Sequence, residues 1–576
     1  MYHSGTQEKD KTTSIVAVSF LFLTLILIVR LFVLQVFEHN YYNSLATGMH
    51  EIYKRLFPVR GSIYLQDART KKEYAAAINR DYYLIYSVPK EISEIDITST
   101  TDALADILKL DDEDKKNILA KLNKRDSLYA PIAKKQIEEA VVAIKDIGLK
   151  GIYSTTQVYR FYPENELGGN VLGFTGFDDN GDLQGSYGIE GYWNKTLAGR
   201  GGFLSGERGA GGTWIALAGR TIDAAEDGAD LVLTIDRSLQ YQACDILKKG
   251  LTDYGAKSAA LTLLNPKTGA ILAMCSFPDF DPNNYSKVDN EVSFNNTNIF
   301  TPYEPGSVFK AVTMAIGLDL DLVTPNTTFI DPCVRHFDKY SIHNAMDKCY
   351  GTITMTQVLE NSVNTGMMWV QDKIGQERFK NYIDKFGFGE KVGVEINTES
   401  KGDVHQLETK RPIDYATASF GQGITVTPLQ LAMAYSALAN GGQMYKPYIV
   451  EEVRYSDGRK EKTTPQLVGT VISDRASKMI TGMLVSVVEK TYVSTVKIKD
   501  YYIAGKTGTA QIPGPGGYTD ETNHTFAGYF PADNPQFVLV VKYEAPKRAW
   551  AEGTTGPVFK QVADFTLKYF GIPPMK

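Results

Sequence analysis

The chain has 576 residues, 43% hydrophobic and 22% charged, with a net charge of −6, a globular balance that excludes wholesale disorder and leaves room for two or more domains. Acidity without an interleaved run of basic and aromatic residues leaves no electrostatic footprint for nucleic acid. The four cysteines contain no C-x-x-C pair and the seven histidines no H-E-x-x-H, so neither a metal, a cofactor nor thiol chemistry is indicated.

Ser14 to Phe37, SIVAVSFLFLTLILIVRLFVLQVF, has Arg30 as its one charge and reaches the ~20 residues that cross a bilayer. A buried core helix would be less continuously apolar. Arg30 lies towards one end, where its stem can snorkel to the interface. No small-residue cleavage site follows, so 14–37 reads as an uncleaved single-pass signal anchor, with 1–13 a cytoplasmic tail and the rest of the chain extracytoplasmic.

Next, Phe57 to Asp67 and Asp81 to Pro89 have strand-like β-branched and aromatic content, and Thr101 to Ile147 is charged with helical spacing. In its last helix Ile137, Val141 and Ile144 recur on one face, and Gly148 can end it in the left-handed conformation. Glycine and aromatic residues crowd Tyr159 to Gly202, which marks turns and close backbone approach. These features predict a mixed α+β pedestal over 38–228. A boundary falls near Asp227–Gly228, before the strand-like ADLVLTID.

Over 229–576 the pattern is that of a larger α/β or α+β domain. SAALTLL, NPKTG and AILAMCS predict a hairpin, and TPLQLAMAYSALANGG a helix with Thr427 as N-cap, Pro428 in the first turn and Gly441 and Gly442 beyond its end. Cys333 and Cys349 flank a short loop region and could form a disulfide outside the cytoplasm; spacing alone leaves this open.

Within this domain YEPGSVFKAV places Ser307 and Lys310 three apart at a helix start, so the amine can reach the hydroxyl and take its proton. The bland reading makes Ser307 a helix cap and Lys310 a solvated charge. Two other serine-lysine pairs at this spacing have poorer contexts: Pro89 disfavours a helix at Ser87 to Lys90, and YVSTV around Ser494 to Lys497 prefers a strand. Ser362-Val363-Asn364 and Lys506-Thr507-Gly508 then follow in order. A serine nucleophile, S-x-N and K-T-G in this sequence are the signature of penicillin-binding proteins and serine β-lactamases. SFN at Ser293 and KTG at Lys267 are decoys, the first preceding the nucleophile and the second in a hairpin turn.

With PVRGSI, RFYP, GSYGIEG, LTIDRSLQ, EPGSVFK, SFGQGITVTPLQLAMAYSALANGG and AGKTGTAQ in family order, the chain resembles a class B penicillin-binding protein, a membrane-anchored peptidoglycan D,D-transpeptidase, with a lean towards division-type members. YLQDARTKK departs from the turn the family often carries after Arg60-Gly61. The resemblance implies a penicillin-recognising transpeptidase fold on a pedestal with a transmembrane helix. It implies Ser307 as nucleophile, with Lys310 as general base, whose pKa must fall from ~10.4 by about 2–3 pH units through desolvation and Lys506. Ser362 would relay a proton, and Asn364 would hold the substrate amide and Lys310. Lys506, Thr507 and Thr509 would bind the terminal carboxylate, Gly508 would leave the strand edge open, and the N–H groups of Ser307 and Thr509 would form the oxyanion hole. The implied partners are peptidoglycan stem peptides, β-lactams, the membrane and, with no glycosyltransferase domain in the chain, a SEDS-type glycosyltransferase with other divisome or elongasome proteins. Competing readings are a β-lactamase or D,D-carboxypeptidase, and a β-lactam sensor or non-catalytic wall-synthesis scaffold.

Overall fold

The computed structural model describes residues 21, 23–33, 51–178, 182–207 and 221–574. Within the expected anchor, Leu21 and residues 23–32 are helical, and Leu23, Leu25, Leu27 and Phe32 are exposed. Among the described residues no helix is long and apolar enough to cross a membrane; most of the remaining positions of 14–37 lie outside them.

The chain divides into two compact units. The smaller, residues up to 59 with 199–227, contains an antiparallel three-stranded sheet of Glu51–Leu56, Gly202–Glu207 and Thr221–Asp223. The larger holds 60–198 and 228–576.

The larger unit begins with β1 (Ile63–Gln66) and β2 (Glu73–Ser87), then α1 (Ile97–Leu108), α2 (Asp112–Leu122), β3 (Ala130–Gln136), α3 (Glu138–Ile147) and β4 (Ile152–Phe161). Asp111 caps α2 through the amides of Glu113 and Asp114, and α3 ends at Gly148 with φ +68°. Val141 and Ile144 are buried as expected, but Ile137 stands in the N-cap position and is exposed. The span expected to be helical throughout is broken by β3, where Pro131 opposes a helix interior and pairs with Tyr86 instead. Ile85, Ile97, Leu104, Ile118, Leu122 and Ile144 form a core of their own.

Three of the motifs meet under this region. Glu190 is wholly buried and accepts from Arg60 Nε at 2.9 Å and Arg160 Nε at 2.6 Å, both guanidiniums also buried. Burial raises the Glu190 pKa, but the two arginines win and hold the carboxyl below its usual range. The neighbouring glycine is a packing requirement: a Cβ on Gly185 would sit 1.9 Å from Glu190 O.

The chain continues through β5 (Asp230–Asp236), α4 (Arg237–Tyr254), β6 (Ser258–Leu264), β7 (Ile271–Phe277), α5 (Lys310–Asp319), α6 (Asn364–Ile374), α7 (Pro428–Ala439), β8 (Val450–Arg454), β9 (Lys460–Lys462), α8 (Asp474–Lys490), β10 (Ala504–Gly514), β11 (Gly517–Phe530), β12 (Phe537–Glu544) and α9 (Thr555–Tyr569). A seven-stranded sheet runs β9-β8-β5-β1-β2-β3, with β4 also on β2. Because β5 pairs in parallel with β1, this sheet continues across the 228/229 position without interruption.

The second large sheet, β7-β6-β12-β11-β10, is antiparallel and carries β10 on its edge. Alternation along β12 serves both faces: Tyr543 donates to Leu247 O of α4 at 2.9 Å, while Lys542 lies over the Tyr303 ring ahead of Ser307. The predicted hairpin is β6–β7, and α7 has the full capping box of Thr427 and Gln430. YVSTV, expected to be extended, is a 3-10 turn, Tyr492–Val496. Its buried residues Val493 and Val496 are three apart, a spacing that shares a face in a 3-10 turn and splits across a strand.

Cys333 and Cys349 are disulfide-bonded, as are Cys244 on α4 and Cys275 on β7. The second pairing has no sequence signal, because sheet and helix bring together residues 31 apart.

Candidate active site

Ser307 lies in a 3-10 turn, Gly306–Phe309, that runs directly into α5. The turn is wedged in place. Gly306 has φ +59° and donates from its N–H to Gly421 O at 2.9 Å, and its missing Cβ makes room for Ala510 of β10. On the far side Tyr435 of α7 donates its hydroxyl to Val308 O at 2.8 Å. No side-chain cap bond forms at this helix start, so Ser307 is half-buried and available rather than spent as a cap.

Lys310 is fully buried one turn on. Its Nζ donates to Ser362 O, to Ser362 Oγ at 3.1 Å and to Asn364 Oδ1 at 2.7 Å. Among the hydrogen bonds of the described residues none joins it to Ser307 Oγ, so in this state the amine faces Ser362 and Asn364. Burial, reinforced by the nearby Lys506 cation, holds the Lys310 pKa well below its usual value. Ser362 can present both oxygens because its backbone is left-handed, φ +54°, a conformation unfavourable for any residue with a Cβ and concentrated at functional sites.

Asn364 opens α6, and its side chain is held from both ends: Oδ1 accepts from Lys310 and Nδ2 donates to His343 O at 2.9 Å. The second N–H of Nδ2 remains for the expected bond to substrate. The next residue fixes the helix start. Thr365 Oγ1 donates to Asp331 at 2.6 Å, and Asp331 also accepts from Asn344 Nδ2 and the Tyr350 and Cys333 amides. Burial raises this carboxyl's pKa, but those donors outweigh it and hold it below the usual range.

Lys506, Thr507 and Thr509 sit on β10, whose outer edge pairs with no strand among the described residues. Lys506 is 1% exposed and its Nζ donates to Thr507 O at 3.2 Å. Burial lowers its pKa to about 8, with Glu552 acting in the opposite direction. Thr509 Oγ1 accepts from Ala551 N at 3.1 Å. Gly508 also meets a packing constraint: a Cβ there would stand 2.9 Å from Pro305 O and 3.2 Å from Val308 N. Its absence lets β10 close on the turn that carries Ser307.

Ser307, Ser362, Asn364, Thr507 and Thr509 line one cleft of about 330 Å³. The sequence reading missed Met346, Lys348 and Tyr350, from the lobe closed by Cys333–Cys349, and Trp550 and Glu552, which precede α9. None carries a motif; the one available signal was the sequence KRAWAEGTTG, a polar and small-residue connection between the last strand and the last helix.

Residues 259–564 match the family described as penicillin binding protein transpeptidase domain, and residues 56–233 the penicillin-binding protein dimerisation domain. Stage V sporulation protein D of Bacillus subtilis is 33% identical over 509 residues, covering 87% of this chain and 77% of that protein. The peptidoglycan D,D-transpeptidase FtsI homolog of Mesostigma viride is 30% identical over 582 residues, covering 95% and 94%. The structure of penicillin binding protein 2X from Streptococcus thermophilus shares the fold with a TM-score of 0.72 at 22% identity, over 90% of this chain and 80% of that one.

Proposed function

The chain belongs to the class B penicillin-binding proteins, with a dimerisation and a transpeptidase domain, and from that premise we propose how its residues carry out peptidoglycan D,D-transpeptidation. Ser307 Oγ attacks the carbonyl of the penultimate D-alanine of a donor stem peptide. Its proton passes to Lys310 Nζ, and Ser362 Oγ, already bonded to that amine, conducts a proton to the departing D-alanine nitrogen. The amine of a neighbouring stem then displaces Ser307 and completes the cross-link.

The observation that carries this reading is Lys310: a buried lysine with a lowered pKa, held between Ser362 and Asn364 one helical turn from Ser307. It is built to be an amine base and not a surface charge. Lys506, Thr507 and Thr509 receive the donor's terminal carboxylate as the peptide pairs along the open edge of β10. The backbone N–H groups of Ser307 and Thr509 form the oxyanion hole, with typically ~3–4 kcal/mol per donor. A β-lactam imitates the D-alanyl-D-alanine end and leaves Ser307 acylated.

Residues 14–37 anchor the chain as a single-pass helix after a 1–13 cytoplasmic tail, 38–228 form the pedestal and 229–576 the catalytic domain outside the cytoplasm. Two disulfides support an oxidising compartment. A SEDS-type glycosyltransferase supplies glycan strands through contacts with the anchor and pedestal; exchange of residues 14–60 abolishes co-purification if so, and undiminished co-purification counts against it. The reading of the site is tested with a fluorescent penicillin on a denaturing gel. A persistent covalent band lost in Ser307→Ala supports a transpeptidase; rapid release of the label would make the protein a β-lactamase.

A further inference from the structure

We propose that Glu552 selects the acyl acceptor, its carboxylate receiving the protonated primary amine of the second stem peptide as it approaches acyl-Ser307. This rests on Ser307 being the acyl carrier. Glu552 belongs to a short turn, Ala551–Gly553, tied to β10 by Ala551 N on Thr509 Oγ1 at 3.1 Å and to Thr495 Oγ1 through its own carbonyl at 3.3 Å. Among the described residues it is the one acid lining the cleft that contains Ser307, and its carboxylate makes no hydrogen bond or ion pair there, acting on Lys506 only through its field. The backbone is pinned while the charge is left available.

The electrostatics of the cleft explain why an acid is needed. Lys506 is buried at the site and Lys348 lines the cleft, a field suited to the donor's carboxylate and repulsive to a cation. A lysine-type amine, with a pKa near ~10.4, arrives as an ammonium at neutral pH. Glu552 is the compensating charge on its route, and the 44% exposed Trp550 beside it in the same cleft offers an aromatic face to the same cation. The protons balance: one leaves to solvent as ammonium becomes amine, one passes through Lys310 to Ser307 Oγ as the ester C–O bond breaks, and one stays on the new amide.

The test uses the full-length protein in detergent, acylated from a soluble acyl-D-alanyl thioester, with product partition measured among D-alaninamide, methanol and water. In Glu552→Gln the aminolysis-to-hydrolysis ratio is expected to fall about tenfold, as for a lost charge contact, the methanolysis ratio to stay put, and Glu552→Asp to restore most of the preference. Equal aminolysis ratios in wild type and Glu552→Gln overturn the proposal, and so does a parallel loss of aminolysis and methanolysis, which reports a distorted site. Should Glu552→Gln fail to acylate, Glu552→Ser takes the same measurement. Failure of the wild type to acylate on Ser307 refutes the underlying reading instead.

Discussion

Lys310 and Lys506 make opposite demands on protonation. The first acts as a base only when neutral, the second holds a carboxylate only as a cation, and burial lowers both pKa values. Lys506 loses its proton as pH rises through about 8, so kcat/KM for acylation by a carboxylate-bearing penicillin should decline about tenfold per pH unit above that point. A flat profile to pH 10 would remove Lys506 from carboxylate binding. Ser362→Ala, measured by the same acylation assay, should lower the rate by roughly 10²–10⁴, the range of a lost proton-transfer group. The motif residues were legible in the sequence because their order survives folding. The contact of Lys310 with both oxygens of Ser362 was not, because it depends on the left-handed backbone of Ser362, and a serine gives no notice of a positive φ.

At the level of elements, β10 and the Ser307 turn are in contact through a missing side chain. Gly508→Ala brings a Cβ within 2.9 Å of Pro305 O, and the displacement of the turn should reduce acylation by about 10²-fold, as a ~1 Å misplacement does, with a stability loss of ~1–3 kcal/mol. Acylation kinetics and denaturant unfolding on one preparation separate the two effects. The pedestal junction depends on charge instead. Glu190→Gln leaves two buried guanidiniums without their carboxylate, and unfolding should show a loss of about 3–5 kcal/mol. The Glu190 pKa is depressed by folding, so its contribution is present above the unfolded carboxyl pKa and lost as pH falls through the folded one. PVRGSI, RFYP and GSYGIEG were readable as motifs; that they meet at a single carboxylate was not, since they lie far apart along the chain. Short elements fared worst, as at Tyr492–Val496, where burial of Val493 and Val496 overrode β-branched propensity.

At the scale of the whole molecule, catalysis and anchoring should separate. Removal of residues 1–37 is expected to release the protein from membranes in fractionation while leaving penicillin acylation within about twofold, because the cleft draws its residues from 306 onward. A truncated protein still bound to vesicles would require another membrane-binding surface. The broad α+β character of the catalytic region was legible from its strand and helix patterns; the sheet running past 228/229 was not, because β5 finds its partner β1 across the whole pedestal sequence. The order β7-β6-β12-β11-β10 has a further consequence for synthesis. Strand Ser258–Leu264 pairs locally with Ile271–Phe277 but cannot find its other neighbour until Phe537–Glu544 has been made, and at ~5–20 residues per second that is a delay of about 15–60 s. During that interval the growing chain gains its nucleophile and then β10, but β10 has no assembled sheet to present its edge to a peptide. Premature termination anywhere before β12 should therefore yield an inert, chaperone-dependent fragment rather than a weakened enzyme.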